Sequence, residues 1–418
     1  MTCESCLRQV DRRSFLKFMV GGTAAAAFAP HPILWAQDTL SRIRARSCIL
    51  LWMGGGPSQL DTWDPKPGRK SGGEFRAVQT SARGFQISEH LPRLAEQAKH
   101  FSVIRSLTTG EAAHERGTYL MHTGYTPISG LPFAPVGTVA SHEHSKPDFP
   151  LPTFVAMHAP EIPLSPIFGE RHLPFTIQDV NQPIPNLRAL VDRDRAERRA
   201  QLLQEQDRGF EADRKGKEIE KRHESAKKAQ ELMTTPLLQA FELGKEPGAV
   251  RKAYGENFGQ MCLLSRRLVE AGVSFVEIGL GGWDTHNNNF EQVKNLSRQL
   301  DAGMGTLIRE LSERGLLSDT LVLWAGEFGR TPEINPQNGR DHWTKCWSVV
   351  LAGAGIQGGR VIGETDKDGM EIRNRPVPVQ DYFATIYKCL GIDSEKKYVL
   401  SGRKVKYAYN GKPVKELF

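Results

Sequence analysis

The sequence predicts an α/β protein, and three observations carry that expectation. Short apolar runs of strand length recur at Cys48–Met53, Phe101–Arg105, Val273–Gly279, Leu321–Ala325 and Trp347–Leu351, as expected of strands buried in a sheet. Between two of them, Phe290, Val293, Leu296, Leu300, Met304, Leu307 and Leu311 fall at spacings of three and four, the period of an amphipathic helix. Several runs break into glycine followed by ionisable residues, as in Gly326-Glu327 and Gly281-Gly282-Trp283-Asp284. In an open α/β sheet, ligands bind past the carboxyl ends of the strands. At 418 residues the chain can bury a large core as one domain with insertions or as several. Its 39% hydrophobic and 25% charged residues are those of an ordinary globular protein.

Taken in order, the chain opens on Asp11-Arg12-Arg13-Ser14-Phe15-Leu16-Lys17, an apolar run from Phe18 to Ala29, and Pro30-His31-Pro32. A basic stretch, a short apolar stretch and a helix-breaking exit resemble a twin-arginine export signal over residues 1–36, cleaved after Ala36. That run is too short to span a bilayer. The expected location is periplasmic or extracellular, with the twin-arginine translocase as the export partner and no stable transmembrane anchor. The formal charge of +7 falls to +5 once residues 1–36 are removed. No basic stripe interleaved with aromatics is present, which argues against nucleic-acid binding. Cys3 and Cys6 lie in the signal; Cys48, Cys262, Cys346 and Cys389 are widely spaced and read as core residues, with one bridge open to them in an oxidising compartment.

The domain proper is expected over residues 37–418. The first strand ends in Gly54-Gly55-Gly56-Pro57-Ser58, followed by Asp61 and Asp64. Such a loop can approach a ligand closely but lacks the lysine of a nucleotide loop. After Phe101–Arg105 a helix start contains Glu111, His114 and Arg116; His114 reads as a ligand, a nucleophile, or a capping or core histidine. The proline-rich stretch over 127–185 predicts irregular structure, with His142 and His144 as a surface pair. The stretch over 187–245, dense in charge, predicts a solvated helical insertion. A helix to Ala271, the strand to Gly279 and the turn holding Asp284 and His286 come next, then the helix above, with Asn288 and Glu291 as a capping pair. A last helix is expected over Val379–Leu390.

Asp61, Asp284, His286, Glu327, Asp341 and His342 form an oxygen-and-nitrogen ligand set near strand ends. Mixed imidazole and carboxylate ligation suits one or two divalent ions, zinc, manganese or iron, with magnesium or calcium favoured as histidine drops out. Asp341-His342 is its most ligand-like pair. Arg330, with Arg116, can grip a tetrahedral oxyanion. The plainer alternative is a Glu327–Arg330 loop ion pair.

Thr320–Gly329 resembles the segment of the alkaline phosphatase and sulfatase superfamily in which a strand ends in a metal-binding pair. The preceding helix, Leu296–Leu316, resembles that superfamily's helix. Asp284-Thr285-His286 is similar to its metal-site Asp and His, and Leu120-Met121-His122-Thr123-Gly124-Tyr125 to the segment after its nucleophile. The whole set, with Arg12-Arg13, Gly55–Ser58, Gly282–His286, Gly326–Pro332 and Gly339–Trp343, resembles the exported bacterial domain-of-unknown-function 1501 family within that superfamily. The resemblance implies an alkaline-phosphatase-like, mostly parallel central sheet flanked by helices. It also implies a metal-dependent hydrolase of small-molecule or polymer-borne phosphate or sulfate esters, with His114 and Arg330 at the substrate. His114 stands at the nucleophile position, which argues against formylglycine chemistry, and Phe328 stands where a second ligand is expected. The alternative is a non-catalytic binding or cell-surface assembly protein that keeps the fold.

Overall fold

Strand β1 (Ser47–Trp52) is buried along its whole length and lies at the centre of a nine-stranded sheet. The computed structural model describes residues 45–159, 162–185 and 217–418, with part of 187–206. The predicted signal and Cys3-Cys6 therefore lie outside the described residues. Residues Arg44–Phe418 form one compact unit.

The other strands are β2 (Phe101–Thr108), β3 (Phe154–Met157), β4 (Phe175–Ile177), β5 (Phe275–Gly279), β6 (Thr320–Ala325), β7 (Trp347–Ala352), β8 (Val361–Ile362) and β9 (Val377–Pro378). Their order is β8-β2-β7-β6-β1-β5-β3-β4, with β9 also on β2. β1 runs parallel to both β5 and β6, and β3 is parallel to β4 and β5. Only β7 is antiparallel, against β2 and β6. The fold is thus α/β with a mostly parallel sheet.

Alternation along β1 divides the core in two, because successive side chains leave opposite faces. Ile49, Leu51 and Met53 join one cluster; Cys48, Leu50 and Trp52 join the other. Helices α4 (Phe258–Glu270) and α5 (Asn289–Glu313) cover the first face. Helices α1 (His114–Thr123), α2 (Val136–His144) and α6 (Val379–Cys389) cover the second. Burial on both sides explains why β1, β6 and β7 read as unbroken apolar runs. Truncating one of these leucines to alanine would cost about 2–5 kcal/mol.

Three expectations change. The proline-rich stretch is not wholly irregular: it supplies α2 and strands β3 and β4, because prolines sit at segment ends where no ladder hydrogen bond is lost. His142 and His144 lie on α2, His144 bonding the carbonyls of Arg46 and Leu390. Asn288 makes no side-chain cap at α5; its backbone is left-handed, and Asn289 is instead the buried hydrogen-bonding residue there. Cys48, Cys262, Cys346 and Cys389 are all buried and free. Within the charged insertion the described part includes helix α3 (Lys217–Thr234).

Candidate metal centre

Four chain segments past strand ends meet at one place. Asp284 and His286 follow β5, Glu327 follows β6, and His114 opens α1 after β2. A two-residue antiparallel ladder pairs His342 with Arg330 and Trp343 with Gly329, folding the distant Asp341-His342 pair back over Glu327. The glycine run makes this approach possible. A Cβ on Gly55, at φ +112°, would lie 2.3 Å from the Asp284 nitrogen, and one on Gly326 would lie 2.6 Å from Pro57.

Three imidazoles are oriented in the same manner. His114 Nδ1 lies 2.7 Å from Glu327 Oε1, His286 Nδ1 lies 2.7 Å from Asp341 Oδ1, and His342 Nδ1 lies 2.7 Å from the Ala112 carbonyl. Carboxylates and carbonyls only accept, so each Nδ1 carries the hydrogen and donates it. The Nε2 atom of each ring, the one left to bind a cation, is then turned inward. All three meet at one oxygen: Asp284 Oδ1 is 3.1 Å from His286 Nε2 and 3.4 Å from both His114 Nε2 and His342 Nε2. His286 Nε2 and His342 Nε2 are themselves 3.1 Å apart. His114 Nε2 is buried without a hydrogen-bond partner. Ligand atoms of His114, Asp284 and His342 all lie within 4.8 Å of one another.

The electrostatics follow from these contacts. The hydrogen bond to Glu327 raises the His114 pKa against the opposing effect of burial. Burial lowers that of His342. For Asp284, burial would raise the carboxyl pKa, but the Arg330 guanidinium 2.5 Å away holds it below its usual value. His286 holds Asp341 below its usual range as well. Side-chain exposures of 47% for Asp284 and 40% for His286 leave one side of the cluster open to solvent.

Not every predicted site residue takes the expected place. Asp61 is fully buried, with its two oxygens bonded by Arg340 at 2.8 and 3.1 Å and one of them also by Asn289; it joins the loop framework and not the imidazole cluster. Glu327 and Asp341 contact the cluster through the histidines they orient, and the Glu327 Oε2 atom remains buried and unpartnered. Arg330 is fully buried. Its guanidinium bonds the carbonyls of Gly55, Gly56 and Arg340 as well as Asp284, so its donors are taken up within the loops around the cluster. It pairs with Asp284 and not with Glu327. Arg116 pairs with Glu111. The triple glycine presents the Gly55 N–H to Glu327 at 2.8 Å, which is a use other than a phosphate cradle.

Two buried residues escaped the sequence reading. His122 on α1 lies 2.9 Å from Glu277 in mid-β5, each 1% exposed. Burial alone would lower the His122 pKa, but the Glu277 carboxylate leaves it raised. A lone carboxylate inside an apolar strand was the available signal, since such a group needs a partner.

A family model described as "Protein of unknown function (DUF1501)" matches residues 45–418. No curated protein matches. Among solved structures, a sulfatase from Pseudoalteromonas sp. is similar at 12% identity and TM-score 0.37, covering 88% of this chain and 73% of that one. A lipoteichoic acid synthase from Listeria monocytogenes is similar at 8% identity and TM-score 0.42, covering 89% and 77%. A protein of the alkaline phosphatase superfamily from Vibrio parahaemolyticus is similar at 11% identity and TM-score 0.39, covering 84% and 67%.

Proposed function

The chain belongs to the DUF1501 family of proteins of unknown function, and from that premise we propose that it is an exported, metal-dependent hydrolase of phosphate or sulfate esters with an alkaline-phosphatase-like fold. The observation that supports this reading is the meeting of three Nε2 lone pairs at Asp284 Oδ1. The three Nε2 atoms together with Asp284 Oδ1 make a donor set of three nitrogens and one oxygen that suits a divalent cation, and three imidazoles favour zinc, manganese or iron over calcium. In this reading His114, Asp284, His286 and His342 are the ligands. Glu327, Asp341 and the Ala112 carbonyl fix the tautomers and raise ligand basicity.

When bound, a divalent cation polarises the ester and activates a water for attack. The chain's own residues define the rest. His114 serves as a ligand and not as a nucleophile, because its Nε2 is one of the converging atoms. Arg330 keeps Asp284 ionised and fixes its direction. The open side, bounded by Asp284 and His286, admits the ester. Export through residues 1–36 fits this scheme, since twin-arginine signals serve proteins that fold before secretion. Among the described residues no helix is long and apolar enough to cross a membrane.

Phe328 supports a second reading. Its buried ring lies 4.5 Å from that of His342 and 5.0 Å from that of His114, on ground where a second ligand was expected. A protein that binds without catalysis, within a cell-surface assembly, fits that feature. Turnover of a panel of phosphomonoesters, phosphodiesters and sulfate esters, with and without a chelator, separates the two. Chelator-sensitive turnover of any ester supports the hydrolase; bound metal without turnover supports the second reading.

A further inference from the structure

The stretch from Lys396 to Lys415 holds seven lysines and arginines and no acidic residue. Its first half folds into a two-stranded antiparallel hairpin, β10 (Lys397–Leu400) and β11 (Arg403–Lys406). One face of the hairpin packs inward, where Tyr398 and Leu400 join the second apolar cluster. Side chains directly opposite across a ladder share a face, so Lys397 with Lys406 and Val399 with Lys404 make up the other. Lys406 is paired with Glu395 at 2.6 Å. Lys397, Lys404 and, at the turn, Arg403 are exposed and make no ion pair. Like charges gathered on one ladder cost stability, which an anionic partner would recover.

Apolar side chains gather at the same place. Among the described residues seven large apolar side chains are exposed, and five of them, Ile128, Leu164, Ile167, Val399 and Tyr409, stand on or beside this hairpin. The loop holding Ile128 meets the turn, Ser401 Oγ donating to the Gly130 carbonyl at 3.3 Å. The segment holding Leu164 and Ile167 joins through Ser165 Oγ, which donates to the Pro132 carbonyl at 2.8 Å, and through Phe168, whose ring lies 5.4 Å from that of Tyr398. The Tyr409 ring lies 6.0 Å from that of Tyr125, whose hydroxyl donates to the Lys406 carbonyl at 2.7 Å. Exposed apolar groups brought together in this way mark an interaction surface. Its chemistry selects the occupant. An acidic polymer would pair with the cations and leave Ile128, Leu164 and Val399 in water. A second copy of the chain, related by a two-fold axis, would set this basic surface against itself. An anionic bilayer takes both features: its headgroups neutralise the cations, the acyl boundary receives the apolar tips, and tyrosine suits the interface between them.

We propose that the β10–β11 face and the apolar tips around it dock the protein reversibly on an anionic lipid bilayer. This docking does not depend on the hydrolase reading. Flotation with phosphatidylcholine vesicles, with and without phosphatidylglycerol, tests it. The chain lacking residues 1–36 is used, because their apolar run would itself bind lipid and Arg44–Phe418 form one compact unit. Binding is expected only to the vesicles containing phosphatidylglycerol, and it weakens as salt is raised. Lys397→Gln with Lys404→Gln should weaken it about 30-fold, and Val399→Ser about fivefold. All three positions are exposed, so both proteins keep the wild-type melting temperature. Lys70→Gln with Lys99→Gln removes the same charge from segments packed on the other face of the sheet and should bind as the wild type does. No binding, equal binding to the uncharged vesicles, or variants that bind as tightly as this control would overturn the proposal. So would capture by polyglutamate without vesicle binding, which would assign the cations to an acidic polymer.

Discussion

His286 and His342 point their Nε2 atoms at each other across 3.1 Å while both Nδ1 atoms are held by acceptors, Asp341 on one side and the Ala112 carbonyl on the other. Two lone pairs facing at this distance repel unless a proton or a cation lies between them. Asp341 sets this arrangement from outside the cluster. Asp341→Ala is therefore expected to weaken metal binding by about 10- to 100-fold with little change in the melting temperature of metal-free protein. Competition against a chelating dye measures the first; unchanged affinity would remove Asp341 from the orienting role.

Gly55 is where the loop after β1 meets the Glu327 carboxylate and the Asp284 backbone. Its N–H bonds Glu327, and an added Cβ would lie 2.3 Å from the Asp284 nitrogen at a backbone angle that disfavours L side chains. Gly55→Ala should destabilise the protein by on the order of 3 kcal/mol. Urea unfolding reads this directly, and a change below 0.5 kcal/mol would mean that the loop has room to move.

The His122–Glu277 pair lies inside the sheet layer, with the Trp52 ring 4.4 Å from the His122 ring. Removing one partner leaves a buried charge uncompensated, so His122→Leu or Glu277→Leu is expected to cost about 3–5 kcal/mol. The double variant should recover most of that loss, because two apolar groups leave nothing unpaired. A double variant as unstable as the sum of the two singles would contradict this.

His172 supplies a pH test away from the imidazole cluster. It is 4% exposed, its Nδ1 is 2.9 Å from Ser141 Oγ, and burial together with Arg171 and His142 lowers its pKa to about 4. The folded state thus holds the neutral ring. Its contribution is complete above the ordinary histidine value of 6.5 and is lost as pH falls through about 4. Wild type should lose about 1–3 kcal/mol of stability over that window, and His172→Gln, which keeps a polar partner for Ser141, should lose less. Parallel curves for the two proteins would refute the assignment.

The parts of the fold that could be read in advance are those whose burial leaves a one-dimensional trace. Strands β1, β5, β6 and β7 and helix α5 show as apolar runs or as a 3.6-residue period. Asp284, His286 and His342 were found because strand ends place ionisable groups together. What escaped was decided by three-dimensional competition. Asp61 and Arg330 are the residue types a metal or oxyanion site uses, but each is buried beside a stronger partner, Arg340 for one and Asp284 with three carbonyls for the other. His114 reads in sequence as nucleophile, ligand or cap, and only the bond from its Nδ1 to Glu327 shows which nitrogen is left free.

The most direct measurement is the metal content of the purified full chain, by inductively coupled plasma mass spectrometry, beside Asp284→Ala and His342→Ala. The account predicts about one equivalent of zinc, manganese or iron in the wild type and loss of most of it in both variants, with α/β secondary structure retained. A wild type that binds none of these ions after reconstitution, or variants that bind as much as the wild type, would contradict it.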